Sequence, residues 1–397
     1  MKRTLYLYLL KEIAPAFSIG LVGFTFVLLT GRILQLIELL VNKGVPLGYI
    51  LSLLYLLLPR LLVLTIPMAT LLSVLMAFNR LSSDNEITAL KASGVSLYQM
   101  LPPVLAFSLA TFAATTLLSL YAVPWANEGS RALLYEIAST KASAGVQGKV
   151  FNDDFDGLVL YVEEIRPKTL RWEKVFISDS RNPAEVLTIL AQEGEVLSDP
   201  GALAIILRLK NGSIHKLGKV PNAYQKINFN TYDLRLHLKT ELKGKKTDEK
   251  HSADMTLTEL SQAIRALQAK GTDAKIQWIL VHEKFSIPFA CLVFGLIGIP
   301  LGLQSRVARG SKSSGFTWAI GLLLIYYLLT NAAKSLAERG VVLLEAGIWS
   351  VNIVFALLGV YLLIKAANES QVLLFVWLQR GIDRIRLKGE EKGGTRG

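Results

Sequence analysis

The chain has 397 residues, a net charge of +12 at pH 7, 52% hydrophobic residues and only 19% charged residues. Soluble domains average about 25% charged residues, so this composition excludes an ordinary cytosolic enzyme, a disordered chain and a disulfide scaffold. Because Cys291 is the single cysteine, neither an intrachain disulfide nor a cysteine-based metal cluster can form.

Six apolar segments are long enough to cross a hydrocarbon core about 30 Å thick. They are residues 15–40, 51–78, 97–125, 279–303, 316–334 and 346–364. The stretch before them, residues 1–14, is predicted to be an interfacial amphipathic helix with Leu5, Leu9 and Ile13 on one side, bent into the membrane at Pro15. The sequence therefore predicts an α-helical polytopic membrane protein.

The distribution of basic residues predicts the orientation of these spans. With a cytoplasmic N-terminus, the short loops on the opposite side carry only Lys43 and Arg339. The cytoplasmic side then carries Lys2, Arg3, Lys11, Arg80, Lys91, Arg306, Arg309, Lys312, Lys365, Arg380, Arg384, Arg386, Lys388, Lys392 and Arg396. This asymmetry predicts that both termini are cytoplasmic. It also accounts for the basic charge through topology and anionic headgroups, so no nucleic-acid partner is expected.

Between the third and fourth spans the hydrophobic period becomes that of strands. Apolar and polar residues alternate in residues 158–165, 174–180, 185–197, 202–217 and 226–238. We expect an all-β sandwich or jelly-roll-like unit outside the cytoplasm, with a hairpin turn at Asn211-Gly212. A helix over residues 257–270, with a capping-box pattern at Thr256 and Glu259 and a stop at Gly271, is predicted to lead back to the membrane.

The loop between the second and third spans, residues 79–96 (NRLSSDNEITALKASGVS), has the pattern of a short surface helix. Ser83 and Glu86 match a capping box, in which each side chain would bond to the other residue's backbone N–H. Ile87 and Leu90 share one face of this helix. The pattern therefore predicts a helix that lies along the membrane surface with one apolar side.

Gly94 is a natural end for this helix, which leaves it only about two turns long. So short a helix is marginal by itself in water, and we expect a partner to hold it. Asp84, Glu86 and Lys91 are available for charge pairing across such an interface. The alternative is that Glu86 only closes its own N-terminal cap.

Four cations lie within or beside the spans. Arg32, Lys43 and Lys334 are near span ends, where they could bind the headgroups of an anionic amphiphile or simply anchor the helices at the interface. Arg60 lies deeper in the second span, where a charge costs roughly 2.5–3.5 kcal/mol near the bilayer centre. We therefore expect Arg60 to face a bundle interior, a cavity or a partner.

Two prolines, Pro59 and Pro67, interrupt the second span. Each proline lacks a backbone N–H and leaves a carbonyl without its helical donor, which permits a kink. Kinks suit a bundle that opens and closes, so these prolines are candidates for a cavity or gating role. Static bundles contain them as well.

The sequence contains no recognisable catalytic or metal site. It has no phosphate-binding G-x-x-x-x-G-K-[ST] loop, no H-E-x-x-H, no G-x-S-x-G and no C-x-x-C, and its four histidines are scattered. One alternative class is an enzyme of envelope lipid modification that uses Glu128, His282 or Glu283, but no pair at a persuasive spacing supports it. Another is a non-transporting scaffold or regulator that binds an external protein partner through its β unit.

Three features in combination resemble the LptF/LptG permeases of the lipopolysaccharide-export ABC transporter. These features are the loop RLSSDNEITALKASGVS, the VPW at residues 123–125 and EKFSIPFACLVFGLIGIPLGL at residues 283–303, set in three spans, a β-rich unit and three further spans. The resemblance covers essentially the whole chain and is slightly closer to the F member. It implies a transport subunit without catalytic activity of its own.

The resemblance also implies partners and location. Members pair as an F/G heterodimer in the bacterial inner membrane, with a cytoplasmic LptB ATPase homodimer that uses ATP and Mg²⁺, so no cofactor is expected in this chain. They take lipopolysaccharide from the outer leaflet into the cavity between the two bundles. Their periplasmic jelly-roll domains pass it to a bridge that begins with LptC.

Residue roles follow from the same resemblance. The loop helix becomes the coupling helix that docks the ATPase, and Glu86 matches an acidic residue that meets a basic residue of that ATPase. The predicted coupling residues are Asp84, Glu86, Ile87, Leu90, Lys91 and Gly94. Arg32 and Lys43 could contact lipid A phosphates, and Lys334 would lie near the lateral gate.

The predicted organisation has four parts. Residues 1–126 form the N-terminal membrane half, with the interfacial helix, three spans and the coupling helix at 83–94. Residues 127–278 form the periplasmic jelly-roll-like domain with its return helix, and residues 279–366 form the C-terminal membrane half. Residues 367–397 form a basic cytoplasmic tail.

Overall fold

The computed structural model describes most of the chain. The described residues are 2–43, 45–144, 149–155, 157–166, 171–181, 187–199, 204–217, 224–236, 255–304 and 314–368. Nearly all of the predicted tail at 367–397 lies outside these ranges.

The described chain contains nine α-helices. Their bounds are α1 Lys2–Lys43, α2 Leu47–Ser83, α3 Glu86–Ala92, α4 Leu97–Leu117, α5 Val123–Ala144, α6 Leu257–Ala269, α7 Lys275–Gln304, α8 Ser314–Glu338 and α9 Leu344–Ala367. Six helical stretches of the described chain are long and apolar enough to cross a membrane, and the third of them runs from α4 into α5. The predicted six spans and helical fold class are confirmed, so the chain is a multi-pass membrane protein.

Helix α1 joins the predicted interfacial stretch directly to the first span. The helix continues without a break through Pro15, so residues 2–14 belong to the same helix as the span, and their position at the membrane interface stays a prediction. Proline removes a single backbone hydrogen bond, and the turns on either side keep the helix continuous. The predicted apolar side is confirmed, because Leu9 and Ile13 are fully buried and Leu5 packs against the same cluster.

A π-helical turn at Leu118–Ala122 joins α4 to α5. The backbone N–H of Val123 donates to the carbonyl of Leu118, five residues earlier. Pro124 follows directly, and its ring would clash with the carbonyl four residues earlier in a regular helix. The wider turn avoids that clash and leaves backbone carbonyls available to other partners.

The β region is a six-stranded antiparallel sheet in the order β1-β2-β3-β4-β5-β6. Its strands are β1 Phe151–Phe155, β2 Leu158–Arg166, β3 Arg171–Asp179, β4 Leu187–Asp199, β5 Ala204–Leu217 and β6 Tyr224–Leu236. Alternate residues point to one buried face, which is built around Trp172, Ile177, Ile189 and Leu207. The predicted β-rich insertion between the third and fourth spans is confirmed.

Two details of the sheet were predicted wrongly. Residues Asn211-Gly212 do not form a hairpin turn, because β5 runs through them and Gly212 pairs with Ala191 on one side and Phe229 on the other. A Cβ atom at Gly212 would lie 2.3 Å from the carbonyl oxygen of Leu190, so close packing of the strands explains this glycine. The second detail is strand β1, which lies before the first segment in which the sequence alternates.

The described residues divide into two compact units. One is drawn from Met1–Ile37, Leu57–Ala126 and Thr247–Gly397, and the other from Glu38–Leu56 and Asn127–Lys246. The first unit holds the membrane core, in which α2 packs against α7 through residues such as Leu71 and Phe294. The second holds the sheet and its buried face.

Helix α6 begins as predicted. Its N-cap residue, Thr256, and Glu259 form a complete capping box, and Leu260 and Ile264 are buried. Gly271 follows the helix with a φ of 67°, a backbone conformation that glycine adopts without strain. Local sequence is sufficient for this helix, because the residues that start it bond to each other within three positions and the residues that end it bond within five.

Candidate functional site

The loop helix α3 ends as its sequence predicts. Gly94 has a φ of 84°, and its N–H donates to the carbonyl of Lys91. The N–H of Val95 donates to the carbonyl of Leu90 at 3.0 Å, and both side chains pack against one apolar cluster. These two bonds form a Schellman motif, which satisfies carbonyls that the helix end would otherwise leave without donors.

The start of α3 differs from the predicted capping box. Ser83 is the last residue of α2, and the N-cap of α3 is Asn85, whose left-handed φ of 60° turns the chain between the two helices. The Glu86 carboxylate does not cap its own helix. It accepts a hydrogen bond from the Tyr8 hydroxyl of α1 at 2.6 Å. The alternative in which Glu86 only closes its own cap is therefore wrong.

One face of α3 is attached to this chain and the other is exposed. Ile87 is buried, and Leu90 packs against the same cluster as Leu9 and Ile13 of α1. The outward face presents Thr88, Ala89 and Ala92, which are all exposed. A short helix held in this way offers a pre-formed ridge of small side chains.

Charged side chains connect α3 to the ends of α1 and α2. Arg80, in the last turn of α2, forms an ion pair with Glu12 of α1 and approaches Asp84 at 3.5 Å. Tyr8 and Glu12 lie one helical turn apart, so they reach Glu86 and Arg80 from the same side of α1. No motif in the sequence marks Tyr8 and Glu12, and the only signal that relates them is their spacing of four residues.

The other predicted coupling residues lie around this contact. Lys91 is half-buried in the last turn of α3, and Asp84 and Gly94 are exposed at its two ends. With Glu86, Ile87 and Leu90 these residues form one continuous region. Which of them touch another protein stays a prediction.

The cations predicted to bind headgroups lie in different surroundings. Arg32 is exposed on α1, and Lys43 is the last residue of α1, with a side chain outside the described part of the chain. Lys334 of α8 forms an ion pair with Glu283 of α7 at 2.7 Å, and both side chains are about one-fifth exposed. Their headgroup role stays a prediction.

The second span keeps its predicted charge and prolines in an unbroken helix. Pro59 is half-buried and Pro67 is buried, and α2 continues through both of them. Arg60 is exposed on the surface of this chain, so it does not face the interior of the bundle. Arg60 was expected to face the bundle interior, a cavity or a partner, and the last two surroundings stay predictions.

Sequence reasoning also missed a set of buried polar contacts around α7. Lys284 is buried and donates to the carbonyl of Ser119 in the π turn at 3.3 Å. Asn352 of α9 donates to both oxygens of Ser286 and accepts from the hydroxyl of Tyr326 in α8. These contacts join residues far apart in the chain, and no local pattern marks them.

Comparison with known proteins agrees with this architecture. Residues 7–365 match the family described as lipopolysaccharide export system permease LptF/LptG. The chain is 20% identical over 372 residues to the lipopolysaccharide export system permease protein LptF of Escherichia coli strain K12 and of Shigella flexneri, covering 92% of each chain.

A further match is an uncharacterised protein of Rickettsia prowazekii, RP871. It is 25% identical over 187 residues, which cover 47% of this chain and 51% of that protein. The family match extends over both membrane halves and the sheet between them. From this coverage we conclude that the chain belongs to the LptF/LptG family of lipopolysaccharide export permeases.

Proposed function

We propose that this chain is a transmembrane permease subunit of an ABC transporter that extracts lipopolysaccharide from the bacterial inner membrane and passes it to a periplasmic bridge. A sister permease of the same family completes the membrane part. A separate LptB homodimer in the cytoplasm hydrolyses ATP with Mg²⁺, and LptC begins the bridge. Both termini are cytoplasmic and the β region is periplasmic in this proposal.

The observation that carries this proposal is the placement of α3. The helix is anchored by Ile87 in this chain's own core, and it exposes Thr88, Ala89 and Ala92 on its outer side. A subunit that must receive movement from an ATPase needs such a rigid, outward-facing element. A scaffold that works through its β region has no need of one.

The lipid route has support in each of the two compact units. In the membrane unit, Arg32 is an exposed cation on α1 and could meet phosphates at headgroup level. In the β unit, cross-strand partners Phe151, Tyr161, Phe176 and Leu190 form a row on the side of the sheet opposite its buried face. Phe151 and Leu190 are 65% and 42% exposed. Such a row could shield acyl chains, whose exposure to water costs about 0.8 kcal/mol per CH₂.

The test is co-purification of the full chain with a sister permease and LptB, followed by ATP hydrolysis in liposomes with and without lipopolysaccharide. We expect the wild-type chain to recruit the ATPase and to couple its hydrolysis to lipid extraction. Ala89→Arg places a bulky charge on the outward face of α3. It should reduce recovery of LptB by at least about ten-fold, which corresponds to roughly 1.4 kcal/mol.

Ala266→Arg is the matched control, since Ala266 is also an exposed helical alanine but lies on α6, which is not one of the spans. It should leave LptB recovery unchanged. Equal recovery with both variants would remove α3 as the docking element. A wild-type chain that recruits no ATPase would favour a non-transporting scaffold or regulator instead.

A further inference from the structure

The first three turns of α1 contact α3 and the end of α2 through two polar bonds. The Tyr8 hydroxyl donates to Oε2 of Glu86 at 2.6 Å, and Arg80 forms an ion pair with Glu12. These bonds join parts of the chain that are 78 and 68 residues apart. The start of α1 is therefore part of the structure that positions α3.

Apolar packing strengthens the same contact. Leu9 and Ile13 of α1 are fully buried in the cluster that also contains Ile87 of α3. Leu5 and Leu90 pack against that cluster from α1 and α3. Burying an aliphatic side chain stabilises a contact by about 1.5–3 kcal/mol, so the two helices should move together when either is displaced.

Beyond these turns, α1 is a long helix that packs on one side only. Thr25 bonds to Thr65 of α2 at 3.1 Å, and Gly20 is buried against α2. The helix has 42 residues and runs without interruption, which at 1.5 Å per residue gives a length of about 63 Å. Its later side chains Ile19, Val22 and Phe26 are each more than 60% exposed on the surface of this chain. A continuous helix that is held on one side and exposed on the other can carry a displacement along its length, and its contacts with α2 at Gly20 and Thr25 would guide that displacement.

We propose that α1 is a mechanical link between the coupling helix and the lipid-facing part of the permease, with Tyr8 as its positioning residue. This inference rests on the proposed function, because it takes α3 as the helix that docks the ATPase. A displacement of α3 reaches α1 through the Tyr8–Glu86 bond and the shared apolar cluster. It then reaches Arg32, about 36 Å further along the helix by the same rise.

Tyr8 and an ATPase do not have to compete for Glu86. A carboxylate accepts hydrogen bonds through two oxygens, and Tyr8 occupies Oε2. Glu86 can therefore bind a cation of a docked ATPase while Tyr8 still holds it. The bond to Tyr8 fixes the orientation of the carboxylate towards that partner.

The first experiment needs no partner protein. Hydrogen exchange of the amides at residues 86–92 is measured in the full chain in nanodiscs, comparing Tyr8→Phe with Tyr6→Phe, a tyrosine of the same helix. Tyr8→Phe keeps the ring and removes only the hydroxyl. Exchange in α3 should rise about five-fold, which corresponds to the roughly 1 kcal/mol of one hydrogen bond, and Tyr6→Phe should leave it unchanged.

The second experiment uses the assembled transporter in liposomes and measures lipopolysaccharide extracted per ATP hydrolysed. Tyr8→Phe should assemble and hydrolyse ATP within about two-fold of the wild type, while the lipid extracted per ATP falls by about five-fold, the size expected from one lost hydrogen bond. Glu86→Gln keeps an oxygen that can accept from Tyr8, so it should retain the slow exchange of α3. A fall in lipid extracted per ATP, with ATP hydrolysis retained, indicates a role in coupling. A merely structural role would lower both quantities.

Two results would overturn this inference. One is a Tyr8→Phe chain that matches Tyr6→Phe in both exchange and coupling. The other is equal loss of assembly, hydrolysis and extraction, because that pattern indicates a structural defect. Failure of the wild-type chain to recruit LptB counts against the proposed function itself, whereas a fully coupled Tyr8→Phe transporter counts only against the link through α1.

Discussion

The fourth and first membrane spans are packed in opposite ways. In α7, 72% of the most apolar stretch is buried, and the helix is bonded to the π turn, to α8 and to α9 through Lys284, Glu283 and Ser286. In α1 only 11% of that stretch is buried. Its polar bonds to α2 and α3 include Tyr8–Glu86 and Glu12–Arg80 in its first turns and Thr25–Thr65 further along. The contrast indicates a core helix that is enclosed on most sides and a peripheral helix that packs on one side only. A transporter needs both kinds of element.

The largest difference between the two spans is expected in the loss of stability when a glycine is replaced by a larger residue, because the backbones around α7 are closely packed. A Cβ atom at Gly302 of α7 would lie 2.7 Å from the carbonyl oxygen of Leu75 in α2, a distance that real Cβ atoms do not show. Gly302→Val should destabilise the chain by about 2–3 kcal/mol through overpacking, measured as a lower midpoint of thermal unfolding in detergent.

The matched variant is Gly23→Val in α1, where nothing lies within 4 Å of the added Cβ. This change should leave the unfolding midpoint almost unchanged. Equal shifts for the two glycines would contradict the difference in packing between α7 and α1.

Loss of the buried amide of Asn352 should have the next largest effect. Asn352→Leu is similar in size but leaves the hydroxyl of Tyr326 and the backbone carbonyl of Ser286 without this partner. We expect a loss of about 1–2 kcal/mol in the free energy of unfolding. Asn331→Leu serves as the control, since Asn331 is exposed and bonds within its own helix. A similar loss of stability in that variant would show that the effect does not come from the bonds between α9 and α7.

The ion pair between α7 and α8 should matter less, since Glu283 and Lys334 keep some exposure. Glu283→Gln should lower the free energy of unfolding by about 1 kcal/mol. A double-mutant cycle with Lys334→Met measures the pair itself, and additive effects would show that the pair contributes nothing. Glu283→Gln also removes the carboxylate that pairs with Lys334. If Lys334 contacts headgroups, this variant should bind anionic lipid vesicles more strongly than the wild type does.

The smallest effect is expected at the exposed pair Arg208–Asp233 in the sheet. The hydrogen-bonded guanidinium of Arg208 holds the pKa of the Asp233 carboxyl below its ordinary value. A lowered pKa means that the stabilisation is present above the ordinary range near pH 4 and is lost as the pH falls through the folded-state value.

Asp233→Asn should therefore slightly increase hydrogen exchange in β5 and β6 of the full chain at pH 7. At pH 2–3, where the wild-type carboxyl is protonated, the difference in exchange between the variant and the wild type should be smaller. An effect larger at low pH than at neutral pH would contradict the sign. Because both side chains are solvated, the change should be smaller than any of those around α7.

Patterns that act over a few residues predicted their structures correctly. The six apolar segments, the alternating strands, the capping box at Thr256 and the glycine end at Gly94 each depend on neighbours close in sequence. Errors occurred where a local pattern has two physical uses. Asn211-Gly212 can close a hairpin or let strands approach closely. Ser83 and Glu86 can cap one helix, or, as here, Ser83 can end the preceding helix while Glu86 bonds to another.

The sequence by itself determined the membrane class, the order of spans and strands, and the position of the loop helix, because hydrophobic period and helix-end signals are local. Only the tertiary structure decided that Glu86 bonds to Tyr8, that Lys334 pairs with Glu283 and that Lys284 reaches the π turn. These contacts join residues 51 to 165 positions apart. The partner of a buried polar group is set by which helices pack together, and a single sequence does not encode that choice in its spacing.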